Sequence, residues 1–254
     1  MNAFLEFVAT PNSPEAPATL AVVDGRITCK IECFLLSKGI QLIKTQKHPG
    51  VLDAVSYHPD IMLHHIGGNR IVYAPGSGNK MLQELESNGF CLVEGGTKLT
   101  PSYPCDIAYN GARVGNYFFH YLEYTDPILL NELEKANVEL VNVKQGYTKC
   151  SVAVINENSI ITADPSIAKE AAKGDIRALI IPPQKSILLP GLDYGFIGGC
   201  SGLIGKGSWA IFGKAEKLPS FFQIQEFLKK ENCQILSLSD DEVIDLGTLL
   251  TVKT

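Results

Sequence analysis

Long apolar runs are missing from this sequence. No stretch approaches the roughly 18 to 20 residues that a membrane-spanning helix needs, so a membrane is not an expected partner. Basic blocks are missing too: no run of Lys and Arg exceeds two residues, and the formal net charge is −5. Nucleic acid and anionic surfaces both require a concentrated positive face, so neither is expected to bind. There is no Cys-x-x-Cys pair. The seven cysteines are an odd number scattered along the chain, which fits a reducing compartment better than a disulfide scaffold. Residues Met1–Phe7 contain no basic region and carry Glu6, so they do not read as a signal peptide. A cytoplasmic location is the expectation that follows.

What is present is ample core-forming material. The 254 residues are 45% hydrophobic and 19% charged, enough for one large domain or two small ones. The organising feature is an internal repeat. Short amphipathic segments end in Gly or Asn and run straight into apolar strands: Gly39–Lys44, Gly89–Glu94, Asn137–Asn142, Gly174–Ile181 and Asn232–Ser237. Gly and Asn tolerate the left-handed conformation that ends a helix. Five such endings, about 48 residues apart, leave little chain for anything else, and a repeat outranks other signals in deciding architecture.

Each ending closes a unit of strand, turn, strand, helix, strand. Thr19–Val23, Asp24-Gly25 and Arg26–Cys29 read as a hairpin, since Asp-Gly suits a tight turn. Ile61–His65, Ile107–Asn110 and Val152–Ile155 read as first strands of later units. Asp126-Pro127 and Asp164-Pro165 read as a helix cap followed by the first helical position. The apolar stretch Val243–Val252 is expected to pair with the N-terminal strand, which would remove exposed sheet edges. The expected fold is a single α/β domain, a five-bladed α/β propeller. Its repeats lie at approximately 19–59, 60–105, 106–150, 151–200 and 201–252. An open α/β sandwich with coincidental periodicity is the alternative.

Superimposing the units aligns Pro59-Asp60-Ile61, Cys105-Asp106-Ile107, Cys150-Ser151-Val152 and Cys200-Ser201-Gly202. Polar residues recurring where five units meet imply a channel or a ligand, because buried unpaired polar groups are costly. Strand alternation puts His58, Asp60 and His64 on one face, and Asp106 and Asn110 on the equivalent face of the next unit. Ser151 and Ser201 would share that face. Cys105, Cys150 and Cys200 would point away, unless a bulge at Gly198-Gly199 turns Cys200 inward.

With this grammar the chain resembles the pentein fold of guanidine-modifying enzymes. These include arginine deiminase, agmatine deiminase, dimethylarginine dimethylaminohydrolase and glycine amidinotransferase. Tyr57–Asp60, Tyr103–Asp106 and Tyr194–Gly202 are similar to an uncharacterised clostridial family assigned to that fold. The resemblance implies a Cys in the last unit that attacks a guanidinium carbon, which matches Cys200. It implies a His that handles protons, for which His58 is the candidate, and acidic side chains that hold a cation, Asp60 and Asp106. Asn110, His64 and Ser201 complete the expected substrate-binding set. The pattern departs from those enzymes in its histidines: His-Pro-Asp sits early, at His58, and after His65 only His120 remains.

Other signals carry less. His58, Asp60, His64 and His65 spread along an extended strand would span about 20 Å at 3.3 Å per residue, too far to share an ion, so no metal is expected. Gly76-Ser-Gly78 lacks the rest of a phosphate-binding loop, and Gly199–Gly202 lacks nucleophile-elbow spacing. Tyr57, Tyr103, Tyr194 and Phe196 precede the axial positions and read as core packing or pocket walls. The function expected is binding, and hydrolysis or transfer, of a small guanidino or amino-acid-like cation through a Cys nucleophile, without a cofactor. A non-catalytic binding or scaffold protein is the alternative. The partner is a small molecule, and the sequence leaves the oligomeric state open.

Overall fold

A computed structural model describes residues 6–254. Most of the segment Met1–Phe7, read above for a signal peptide, lies outside the described residues. In chain order the first unit contributes strand β1 (Leu20–Val23), helix α1 (Cys29–Ser37) and β2 (Gln41–Lys44). The second comprises a helical turn α2 (Pro59–Met62), β3 (Leu63–Gly67), β4 (Arg70–Tyr73), α3 (Asn79–Ser87) and β5 (Cys91–Glu94). The third comprises β6 (Ala112–Val114), β7 (Tyr117–His120), α4 (Pro127–Lys135) and β8 (Glu139–Asn142). The fourth comprises α5 (Thr148–Ser151), β9 (Val152–Asn156), β10 (Ser159–Thr162), α6 (Pro165–Lys173) and β11 (Arg177–Ile180). The fifth comprises β12 (Ser201–Leu203), β13 (Ser208–Ile211), α7 (Phe221–Lys230) and β14 (Gln234–Ser237), and the chain ends in β15 (Leu250–Lys253).

These strands form five three-stranded sheets, each with an antiparallel first pair and a parallel second pair. The helix before each third strand makes the crossover that parallel pairing requires. In the first sheet the antiparallel partner of β1 is β15, with Leu20 opposite Lys253 and Val22 opposite Leu250. The chain terminus therefore supplies the strand that the first unit lacks, as the apolar run Val243–Val252 suggested. The hairpin expected at Asp24-Gly25 does not form. The Asp24 carboxylate accepts the Arg26 backbone N–H at 2.7 Å and its guanidinium as well, and the chain turns into α1 through its cap Thr28.

Helix ends follow the repeat grammar with one shift. Gly39 (φ 80°), Gly89 (φ 86°), Asn137 (φ 55°) and Asn232 (φ 54°) are left-handed. In the fourth unit the left-handed residue is Asp175 (φ 56°), not Gly174, which sits at φ −99° as the helix cap. Asp126 and Asp164 cap α4 and α6 as expected, accepting from Leu129 and Ile167 backbone N–H groups.

The core is divided into five apolar clusters, and each joins two neighbouring units. Met62, Ile71 and Leu85 pack with Leu20 and Val22. Ile61 and Val72 pack with Phe118 and Leu133. Val114 and Phe119 pack with Val152 and Ile160. Ile155 and Ile161 pack with Trp209 and Leu228, and Phe212 and Leu249 pack with Ala21 and Ile31. No unit has a core of its own, because a three-stranded sheet and one helix cannot cover both sheet faces. The ends of the first strands are thereby drawn toward one another.

Candidate active site where the units meet

The residues preceding the first strands do not continue those strands. Pro59 fixes the backbone torsion that starts a helix, so 59–62 forms a helical turn, and Thr148–Ser151 forms another. A helical turn rises about 1.5 Å per residue instead of about 3.3 Å. Asp60 therefore folds back beneath His58 rather than extending beyond it. One ligand atom each from His58, Asp60 and Cys150 lie within 4.8 Å of one another, and all three residues are buried.

The surrounding contacts bind the units together at this point. Cys150 Sγ donates to Asp60 Oδ2 at 3.1 Å. Asn110 Nδ2 lies 2.9 Å from the Asp60 carbonyl oxygen and 3.2 Å from Cys150 Sγ, and its Oδ1 accepts the Lys149 backbone N–H. Lys149 Nζ donates to Thr248 Oγ1 at 2.7 Å, and Thr248 donates on to the Ser201 carbonyl. Asp245 accepts backbone N–H groups from Phe196 and Gly247. His58 lies between two carboxylates, 4.0 Å from Asp24 Oδ2 and 3.9 Å from Asp245 Oδ1, with no hydrogen bond to either ring nitrogen. Gly247 is required here: at φ 65°, a Cβ would stand 2.2 Å from His58 Cβ.

Burial dominates the protonation of these groups. It holds His58 neutral, down to about 3, with the Arg26 charge adding to the effect. It raises Asp60 to about 6 against the pull of Lys149, and Asp245 to about 7, where Asp60 adds like-charge repulsion. The Cys150 thiol is pushed well above its ordinary range by burial and then by Asp60. Burial lowers Lys149, with Asp60, Cys150 and Asp245 opposing. Near neutral pH the Cys150 thiol keeps its proton, and Asp60 and Asp245 give theirs up only as pH rises to about 6 and about 7. Arg26 is bonded to Asp24 on its own account.

Other expected residues lie elsewhere. Cys200 is fully buried with its thiol donating to the Ile197 carbonyl at 3.2 Å, and Ser201 Oγ donates to the same oxygen. The cysteine that neighbours His58 is thus Cys150, which was expected to face away; the helical turn α5 rotates it inward. Asp106 is bonded to the Tyr147 hydroxyl, not to the cluster residues; Asn110 takes the position facing Asp60. His64 packs edge-on against Phe118 at 5.0 Å, because β3 starts only at Leu63 and sets it on a separate face from His58. The aromatic residues run in a series, Tyr103–Tyr147–Phe196–Tyr194, with successive centroids 5.8, 6.4 and 6.3 Å apart. Tyr57 instead lies under the Arg26 guanidinium.

Two cavities adjoin this region. One of about 20 Å³ is bordered by Asp60, His64, Lys149 and Thr248. Another of about 240 Å³ is walled by Tyr194, Phe196, Ser151, Gln145 and Asp164. A larger groove of about 810 Å³ around Arg70 and Arg113 is open and shares no residue with the cluster. Lys149, Asp245 and Thr248 were not singled out from the sequence. The one available signal was Asp245 itself, a lone acid inside the apolar run Val243–Val252.

Five three-stranded sheets, each with a crossover helix and polar side chains at their meeting point, define the fold of the guanidine-modifying enzymes. Solved structures with this fold include the inosamine-phosphate amidinotransferase StrB1 from Streptomyces griseus (TM-score 0.60, 11% identity, 97% of each chain covered). Agmatine deiminase from C. jejuni matches with a TM-score of 0.56 and 10% identity over 94% of this chain and 93% of that one. SxtG, an amidinotransferase from Microseira wollei, matches at 0.54 and 11% over 91% of both. Through residues 22–250 the chain belongs to the family described as Family of unknown function (DUF6873). No curated protein matches it.

Proposed function

We propose that the chain is a cysteine-dependent enzyme that hydrolyses, or transfers a group from, a small guanidino or amino-acid-like cation. The observation that carries this reading is the contact of the Cys150 thiol with the Asp60 carboxylate, with His58 inside the same 4.8 Å cluster. The buried carboxyl groups of Asp60 and Asp245 favour a cationic ligand over a neutral or anionic one. A cation placed there favours the thiolate of Cys150 and supplies the electrophilic carbon beside it. Asp60 accepts the thiol proton, sulfur adds to the guanidino carbon, and the proton passes to the departing amine. Water or an acceptor amine then adds to the sulfur-bound carbon, giving its proton to the neutral His58, and the carbon–sulfur bond breaks to release the product and return Cys150 to its thiol form as that proton passes back. Asp106, Asn110, His64 and Ser201 have indirect parts in this scheme: Asn110 holds Asp60 and Cys150 in register, while Asp106 and Tyr147 border the aromatic series.

A non-catalytic binding or scaffold protein is the second reading. It is favoured by the buried Lys149, whose Nζ already donates to Thr248, and by the small adjoining cavity of about 20 Å³. A panel of guanidino and amino-acid compounds, scored by thermal shift and by release of ammonia or amine, separates the two. Stabilisation with release that is lost in Cys150→Ser and kept in Cys200→Ser supports the enzyme. Stabilisation without release supports the binding protein, because a ligand of the native state stabilises it by mass action in either case. A panel in which no compound stabilises or reacts removes both.

A further inference from the structure

Both ring nitrogens of His58 and the Oδ1 atom of Asp60 are buried without a hydrogen-bond partner. Polar atoms left this way are costly, and the side chains that carry them stand beside the Cys150 thiol. The nearest atoms of His58, Asp60 and Cys150 are within 4.8 Å of one another. Ligand atoms around a tetrahedral zinc ion, with bonds of about 2.0–2.3 Å, sit roughly 3.5 Å apart. Cys150 Sγ and Asp60 Oδ2 already stand 3.1 Å apart. A shift of the imidazole by about one ångström completes the spacing that such an ion needs.

The surroundings suit an ion as well as the donors do. A metal-bound imidazole usually gives its other N–H to a carboxylate. Here Asp24 and Asp245 flank the ring, one at each nitrogen, 4.0 and 3.9 Å away. The cavity of about 20 Å³ beside Asp60 and Thr248 has room for one water-sized fourth ligand.

We propose that His58, Asp60 and Cys150 form a binding site for one thiophilic divalent cation of the zinc type. The Cys150 S–H bond breaks, its proton leaves to solvent, and a sulfur–metal bond forms with no change of oxidation state. Imidazole, carboxylate and thiolate together select a borderline-soft ion over magnesium or calcium. The ion and a nucleophilic Cys150 exclude each other, so the metal would hold the site in an unreactive state. This inference uses the same side chains as the proposed activity but does not depend on it.

Cobalt(II) titration of the full-length chain, with a non-thiol reductant present, tests it without any substrate. The expected result is a thiolate-to-cobalt charge-transfer band in the near ultraviolet that saturates at one equivalent and is abolished by Zn²⁺. The band is expected to vanish in Cys150→Ser and in His58→Gln. It should persist in Cys200→Ser and in the double variant Cys29→Ser/Cys33→Ser, which removes an exposed pair one turn apart on α1. Absence of the band in the unaltered chain, or its loss only in the double variant, overturns the proposal. Should the site variants fail to fold, Zn²⁺ protection of the unaltered chain decides: alkylation of Cys150 by iodoacetamide slows at least roughly tenfold, and an unchanged rate overturns the site.

Discussion

At the scale of single residues, the cluster depends on close approach more than on any one contact. Gly247 combines a left-handed backbone (φ 65°) with contact against His58, and its carbonyl accepts the Asp60 N–H at 3.2 Å. Gly247→Ala adds a methyl where none fits and strains the backbone as well. It should cost about 2–3 kcal/mol, read from the urea midpoint of unfolding. An unaltered midpoint would mean that the loop from Asp245 to Thr248 yields freely and does not hold the cluster. The same residue scale explains why sequence reasoning chose Cys200 over Cys150. Both were aligned at the start of a unit; alternation along a strand pointed both away, and Cys200 was preferred because the resemblance implies a Cys in the last unit and Gly198-Gly199 allows a bulge. Those directions hold only where the backbone is extended. Pro59 and the Thr148–Ser151 turn replace it with helical geometry, which turns Cys150 toward Asp60.

At the scale of elements, each helix and the strand after it meet at a left-handed residue. Four of the five are Gly or Asn in the positions the sequence suggested. In the fourth unit Gly174 ends α6 with ordinary torsions and Asp175 takes φ 56°. A non-glycine residue in that region bears a steric cost that Gly avoids. Asp175→Gly should therefore stabilise by about 0.5–1 kcal/mol, the gain reduced by the greater freedom of Gly in the unfolded chain. Chemical denaturation of the variant beside the parent measures this, and a lowered midpoint would show that the Asp175 side chain makes up for its torsion. The capping aspartates and the crossover helices were legible in the sequence because their signals are local. The absent hairpin at Asp24 was not, because Arg26 draws Asp24 into a turn that pattern alone cannot distinguish from Asp-Gly.

At the scale of the whole molecule, burial lowers the proton affinity of four histidines, His58, His64, His65 and His120, and holds each neutral. His65 and His120 are lowered to about 4 from an ordinary 6.5. Between those values the unfolded chain binds protons that the folded one does not. Stability from this source is complete above about pH 6.5 and is lost as pH falls toward 4, by up to roughly 3 kcal/mol per histidine. Asp60 and Asp245, raised from 3.8 to about 6 and about 7, work the other way over the same interval, because the folded chain there keeps protons that the unfolded chain has lost. Four lowered histidines outweigh two raised carboxyls, so the midpoint of thermal unfolding should fall between pH 6.5 and 4. His65→Gln and His120→Gln, compared with the parent across that range, should each flatten the acid limb. A limb of unchanged slope would mean that these rings keep a proton when folded.

The sequence by itself determined the five-unit architecture, the crossover helices and the return of the last strand to the first. Period, capping residues and apolar runs are local properties that each segment carries alone. It also marked Asp60 and His58, since a polar group in an apolar repeat stands out. The tertiary structure decided which polar groups meet. Lys149 and Cys150 from α5, and Asp245 and Thr248 from the loop before β15, reach Asp60 only after neighbouring sheets have packed into shared cores, and long-range packing of that kind leaves no periodic trace in the order of residues.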